Sequence, residues 1–128
     1  MPDAAQKLRV LLVEDDRDLA EVTQVALEFE GLDVVVAHDG REGLEKAGEL
    51  RPDVIITDLI MPVLDGLQMI ERLCQEPEPH SPVIAVSAVG SRLRAAREMG
   101  AVEALVKPVH PRDLADCARK VVRGAHAS

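Results

Sequence analysis

Four places in this 128-residue sequence set a polar, chemically useful side chain at the end of a short apolar run. Glu14, Asp15 and Asp16 follow Leu8-Arg9-Val10-Leu11-Leu12-Val13, and Asp58 follows Asp53-Val54-Ile55-Ile56-Thr57. Ser87 closes Pro82-Val83-Ile84-Ala85-Val86-Ser87, and Lys107 follows Ala104-Leu105-Val106. Crowded carboxylates repel one another and raise one another's pKa unless a cation compensates them. A hard divalent ion such as Mg²⁺, or Mn²⁺ in its place, does so, taking oxygen ligands at about 2.0–2.1 Å for Mg²⁺ and keeping waters that a phosphate can replace. A hydroxyl can donate to a phosphoryl oxygen, and a Lys ammonium can oppose it as a point charge. The set therefore suits phosphoryl chemistry. Taken singly, each member has a plainer reading: acids after a strand cap helices, a strand-end Ser belongs to a turn, and a Lys is solvated.

The elements that must position these residues are legible as a repeated alternation. The runs named above, with Asp33-Val34-Val35-Val36-Ala37, have the continuous apolar and partly β-branched character of strands buried on both faces. Each is followed by a helical pattern. The first helix is expected to bury Leu19, Val22, Ala26 and Phe29, with Asp16 or Asp18 at its start and Gly31 at its end. The second spans about 40–50, weakened by Gly43 and Gly48 at roughly 1 kcal/mol each. Leu67, Ile70 and Leu73 or Cys74 mark the third, begun by the Asp65-Gly66 turn and ended by the Pro-rich stretch 76–81. The fourth covers about 91–99, and the last buries Leu114, Cys117, Ala118, Val121 and Val122 with Pro111 in its first turn. Five such units predict a doubly wound α/β domain, a parallel sheet covered by helices on both sides. In such a sheet ligands bind beyond the carboxyl ends of the strands, where all four polar groups lie.

Composition narrows the function classes. A length of 128 residues with 47% hydrophobic content fits one domain, with a core over about 8–124, loose ends, and nothing left over for an output domain. A net charge of −8, the absence of Trp and Tyr, and a single Phe argue against direct nucleic-acid binding. No apolar run is long enough for a membrane span and no secretory signal is present, so the expectation is a soluble, cytoplasmic protein. Cys74 and Cys117 show no ligand spacing and read as core thiols.

The ordered motifs Val13-Glu14-Asp15-Asp16, Asp58-Leu59-Ile60-Met61-Pro62-Val63-Leu64-Asp65-Gly66, Ser87-Ala88 and Lys107-Pro108 resemble the receiver domain of bacterial two-component response regulators. The resemblance covers nearly the whole chain and implies a flavodoxin-like, five-stranded parallel sheet in the order 2-1-3-4-5 with five helices. It implies that Asp58 accepts a phosphoryl group from a histidine kinase, a histidine phosphotransfer protein or a small phosphodonor. The domain would then catalyse only its own phosphorylation and dephosphorylation, as a signalling switch rather than an enzyme. It further implies Mg²⁺ held by Asp15, Glu14, Asp58 and the carbonyl of Ile60. Ser87 and Lys107 would contact the phosphoryl group, Ala88 would leave room for it, and the Lys107-Pro108 bond would be cis.

The sequence also departs from the family's usual pattern. Ala104 stands where receivers commonly carry the aromatic residue that swings inward on activation, and Val109 stands where Phe is common. A receiver-fold interaction module independent of phosphorylation is the alternative these departures favour. Ile60 and Val89 are apolar where polar groups can orient a hydrolytic water, which predicts a long-lived phosphoryl state. Arg92, Arg94 and Arg97 make the fourth helix basic, either as a solvated face or as a docking strip for an acidic downstream partner. A haloacid-dehalogenase-like phosphatase would need an acid at Ile60 for proton transfer to the leaving group. A flavodoxin-like cofactor binder would need a phosphate-cradling loop in place of the three acids.

Overall fold

In the computed structural model, which describes residues 7–75 and 80–127, the apolar runs form five strands and the patterned stretches form five helices. In chain order these are β1 (Arg9–Val13), α1 (Arg17–Phe29), β2 (Asp33–Ala37), α2 (Gly40–Leu50), β3 (Val54–Asp58), α3 (Gly66–Cys74), β4 (Val83–Ser87), α4 (Gly90–Met99), β5 (Glu103–Val106) and α5 (Pro111–Ala127). The strands are all parallel, in the order β2-β1-β3-β4-β5. Ends differ from the sequence expectation by a residue at β1, β3, β4, β5 and α4. The expected breaker after α3 lies largely outside the described residues.

Successive strand residues point to opposite faces, so each strand feeds two cores. Leu11, Val13 and Ile55 pack with Met69 and Ile70 of α3 and Leu93 of α4. Val10, Leu12 and Ile56 pack with Leu27 of α1 and Leu114 and Ala118 of α5. The three central strands are thereby covered on both sides, which is why their sequences carry no polar alternation. No helix among the described residues is long and apolar enough to cross a membrane.

One helix face differs from expectation. Leu19, Val22 and Phe29 are exposed, Phe29 at 91%, and α1 instead buries Ala20 and Leu27. The buried side also carries Thr23 and Gln24, half-covered, with Gln24 Nε2 donating to the Val34 carbonyl at 2.9 Å. A satisfied polar side chain can face a core, and this one hides the buried face from an apolar-spacing argument. Ala26 is only half-buried. The two thiols are free and half-buried rather than fully within the core, and burial pushes both of their pKa values up.

In α2 the glycines are tolerated for different reasons. A Cβ on Gly43 would press on Met69 Sδ and on Val13, so its absence lets α2 lie close to the sheet, whereas Gly48 meets nothing. Asp39 compensates at the helix start by accepting from the Glu42 amide at 2.8 Å.

Candidate functional site

Parallel register brings the carboxyl ends of β1, β3, β4 and β5 to one edge. Val13 pairs with Thr57, Asp58 with Val86, and Ser87 with Val106, so Glu14, Asp58, Ser87 and Lys107 leave their strands at one level. Oxygens of Glu14, Asp15 and Asp58 lie within 4.8 Å of one another. Three hard carboxylate donors at that spacing fit a divalent cation of the Mg²⁺ type.

Lys107 reaches into the same group. Its ammonium donates to Asp58 Oδ2 at 3.1 Å and to Glu14 Oε1 at 3.3 Å. The other Asp58 oxygen accepts the Leu59 amide at 2.7 Å and the Ile60 amide at 3.4 Å. Three carboxylates thus face one ammonium, leaving an excess of negative charge. Burial raises the Glu14 pKa to about 6, the Asp58 charge adds to that rise, and Lys107 opposes it. Burial alone would lower the Lys107 pKa, but the charges and hydrogen bonds of Asp58 and Glu14 outweigh it and hold the group above its ordinary value.

Local sequence fixes this geometry. Asp16 caps α1, its side chain accepting from the Leu19 amide at 3.0 Å, which accounts for the third acid of the cluster without a metal. Asp65 and Gln68 form a reciprocal capping box at the start of α3. At Gly66 any Cβ would collide with the Asp58 carbonyl oxygen and the Leu59 Cα, so only glycine lets α3 begin this close to the acidic residue. Between them Val63 adopts φ 69, bridged by the Leu64 amide donating to the Pro62 carbonyl at 2.8 Å, a strained γ-turn. The Lys107-Pro108 peptide is cis.

The pattern of the response regulator receiver domain matches residues 10–119. The chain belongs to this family. The receiver assignment agrees with relatives such as CpxR of Escherichia coli strain K12, a transcriptional regulatory protein 36% identical over 122 residues, which cover 94% of this chain and 51% of the relative. TrcR of Mycobacterium tuberculosis is 34% identical over 118 residues, covering 91% of this chain and 46% of that one. The chain therefore spans about half the length of the curated relatives it matches. Among solved structures, the receiver domain of the Francisella response regulator 1452 superposes with a TM-score of 0.85 at 28% identity, covering 93% of this chain and 99% of that one. The chemotaxis response regulator CheY4 of Vibrio cholerae gives 0.81 at 29%, covering 91% and 99%. Receiver domains of response regulators serve phosphorylation-dependent signalling and are not classical enzymes. Response regulators interact with histidine kinases and with downstream targets.

Of the residues singled out from the sequence, Glu14, Asp15, Asp58 and Lys107 form one receiver pocket. Ser87 is buried on the neighbouring strand end, where its Oγ accepts from the Val89 amide at 3.1 Å, leaving its proton free to be donated elsewhere. Ile60 follows Asp58 with its side chain half-exposed. Arg97 of α4 pairs with Glu103 at 3.3 Å, so Arg92 and Arg94 carry that helix's exposed positive charge. Sequence reasoning missed the Lys107–Glu14 pair and the Leu59 and Ile60 amides on Asp58. It read Asp65-Gly66 correctly as the turn that starts the third helix but not as a close approach; a Gly directly after an N-capping Asp and eight residues past a strand-end acid was the available sign.

Proposed function

We propose that this receiver domain is a phosphorylation-dependent switch in a two-component phosphorelay, with Asp58 as the phospho-acceptor. The observation that carries the reading is the convergence of Glu14, Asp15 and Asp58 oxygens within 4.8 Å, with Lys107 on Asp58 Oδ2. A carboxylate oxygen of Asp58 attacks phosphorus, the new O–P bond forms, and the bond to the histidine nitrogen of the donor breaks. Glu14, Asp15, Asp58 and the Ile60 carbonyl would hold Mg²⁺ or Mn²⁺, which when bound would supply charge neutralisation for the transferring group. Lys107 exchanges Asp58 Oδ2 for a phosphoryl oxygen, and the Ser87 hydroxyl donates to another. The amides of Leu59 and Ile60 keep the acceptor carboxylate oriented. Chemistry is limited to the domain's own phosphorylation and dephosphorylation.

The donor in this reading is a histidine kinase or a histidine phosphotransfer protein. The exposed apolar residues of α1 supply contact surface for it, since Leu19 also borders the cleft that reaches Asp58. A downstream protein partner engages α4 through Arg92 and Arg94, with Arg97 tied to Glu103. The domain acts in the cytoplasm as one unit, without contacting nucleic acid or membrane itself.

Incubation with acetyl phosphate and Mg²⁺ followed by intact mass measurement tests the reading. A gain of one phosphoryl group, absent in Asp58→Asn, is the expected result. A second reading, an interaction module independent of phosphorylation, is favoured by Ala104, which supplies no ring to relay a change. No mass gain in the unaltered domain would select it.

A further inference from the structure

Between α1, α5 and the sheet lies a cleft of about 460 Å³, within the range of small-molecule sites. Its walls are apolar: Leu19 from α1, Ile56 and Val86 from the sheet, and Val109 and Leu114 before and within α5. The polar part of its lining is formed by Glu14, Asp58 and Lys107 with Thr23. A mostly apolar cleft with a few convergent polar groups has the make-up of a ligand site rather than a packing defect.

We infer that this cleft takes a small molecule with a compact apolar body and a single ammonium group, the body between Leu19, Val109 and Leu114 and the ammonium toward the Glu14 and Asp58 carboxylates. The charge of the end wall selects the class. Lys107 is shared between the two carboxylates of the lining at 3.1 and 3.3 Å, which leaves that end one negative charge in excess, so a cation gains and an anion is repelled. A ligand placed this way occupies Glu14 and Asp58 in competition with divalent metal, which gives the domain an input independent of any phosphoryl donor.

Three indoles with different heads test the inference: tryptamine, neutral tryptophol and anionic indole-3-acetate. The chain has no Trp or Tyr, so indole fluorescence reports the ligand alone. Titrated with the metal-free 128-residue chain, tryptamine is expected to bind about tenfold tighter than indole-3-acetate, with tryptophol between them. Added Mg²⁺ is expected to weaken tryptamine. Val109→Phe, which places a ring in the cleft, removes binding; Ala88→Leu, at an exposed position on the cleft border, does the same without touching the core. Equal affinity for all three heads overturns the choice of a cation. Absence of saturable binding, or unchanged binding in the folded variants as checked by circular dichroism, overturns the site. No phosphoryl donor is present, so these results are independent of whether Asp58 is an acceptor.

Discussion

Lys107 Nζ lies 3.1 Å from Asp58 Oδ2 and 3.3 Å from Glu14 Oε1, so the side chain of β5's end acts as an internal counter-ion for carboxylates contributed by β1 and β3. Those carboxylates hold its pKa above the ordinary value against the effect of burial, which keeps it charged throughout the neutral range. An ammonium in that position competes with a divalent ion for the same oxygens. Lys107→Met is therefore expected to bind Mg²⁺ roughly threefold or more tightly, because Glu14 and Asp58 lose the ammonium that compensates them. Calorimetric titration measures this directly, and an unchanged or weaker affinity contradicts the competition.

Glu14 gives a dependence on pH with a definite sign. Its folded-state pKa of about 6 lies above the ordinary 4.5, so between these values the folded chain holds a proton that the unfolded chain has lost. The group's contribution to stability is thus greatest below about 4.5, falls as pH rises toward 6, and stays low above it. At pH 7.5 without metal, Glu14→Gln is expected to raise unfolding stability by up to about 2 kcal/mol while weakening Mg²⁺ binding. Urea denaturation with and without Mg²⁺ reads both effects; a Gln variant less stable than the parent in metal-free buffer would refute the sign.

The two apolar sides of α1 should separate cleanly in stability measurements. Leu27 is fully buried among Val10, Ile56 and Leu114, whereas Phe29 two residues later is 91% exposed. Leu27→Ala is expected to cost about 2–5 kcal/mol and Phe29→Ala no more than about 0.5 kcal/mol. Comparable losses would mean that Phe29 is covered in solution.

That contrast also marks where the sequence stops being readable. The five strands were legible because their central members are buried on both faces, and the site edge followed from the acids, hydroxyl and ammonium standing at strand ends. Neither depends on which neighbour a side chain meets. The orientation of α1 does: Ala20, Thr23 and Gln24 face the sheet through small size and one hydrogen bond, while larger apolar residues point outward. Within the site, Lys107 pairing with Glu14 was hidden for the same reason, since the two stand 93 positions apart and meet only through strand order. Gly66 carried a local trace, but its meaning rests on the approach of α3 to the Asp58 carbonyl.

The lifetime of a phosphorylated Asp58 should reflect the apolar residues beside it. Ile60, whose amide meets Asp58, and Val89, whose amide meets Ser87, are each substantially exposed and offer no side-chain donor or acceptor to align an attacking water. Ile60→Asn supplies both, and general positioning of a water accelerates hydrolysis by shortening the search for an in-line approach. The variant is expected to lose its phosphoryl group about tenfold faster than the parent, followed by intact mass after removal of acetyl phosphate. A parent that dephosphorylates as fast as the variant would show that Ile60 is not what limits water.

The route from the site to the surface must run without a ring at position 104. Ala104 is half-buried on β5 and packs against the core beneath α4, while β5 pairs with β4 through Ala85–Ala104 and Ser87–Val106. A phosphoryl group that draws the Ser87 hydroxyl toward itself would displace the oxygen that accepts from the Val89 amide, and Val89 is the residue on which α4 begins, with no side-chain cap to hold it. The start of α4 is therefore a weak link next to the site, able to shift with the Ser87 oxygen its first amide rests on. Beryllofluoride with Mg²⁺ is expected to move the amide resonances of residues 88–94 strongly and those of the outer half of α1 little. Ser87→Ala, which lacks the hydroxyl, is expected to suppress the α4 response while metal binding persists. Amide spectra in which α4 stays fixed while another face moves would place the output elsewhere.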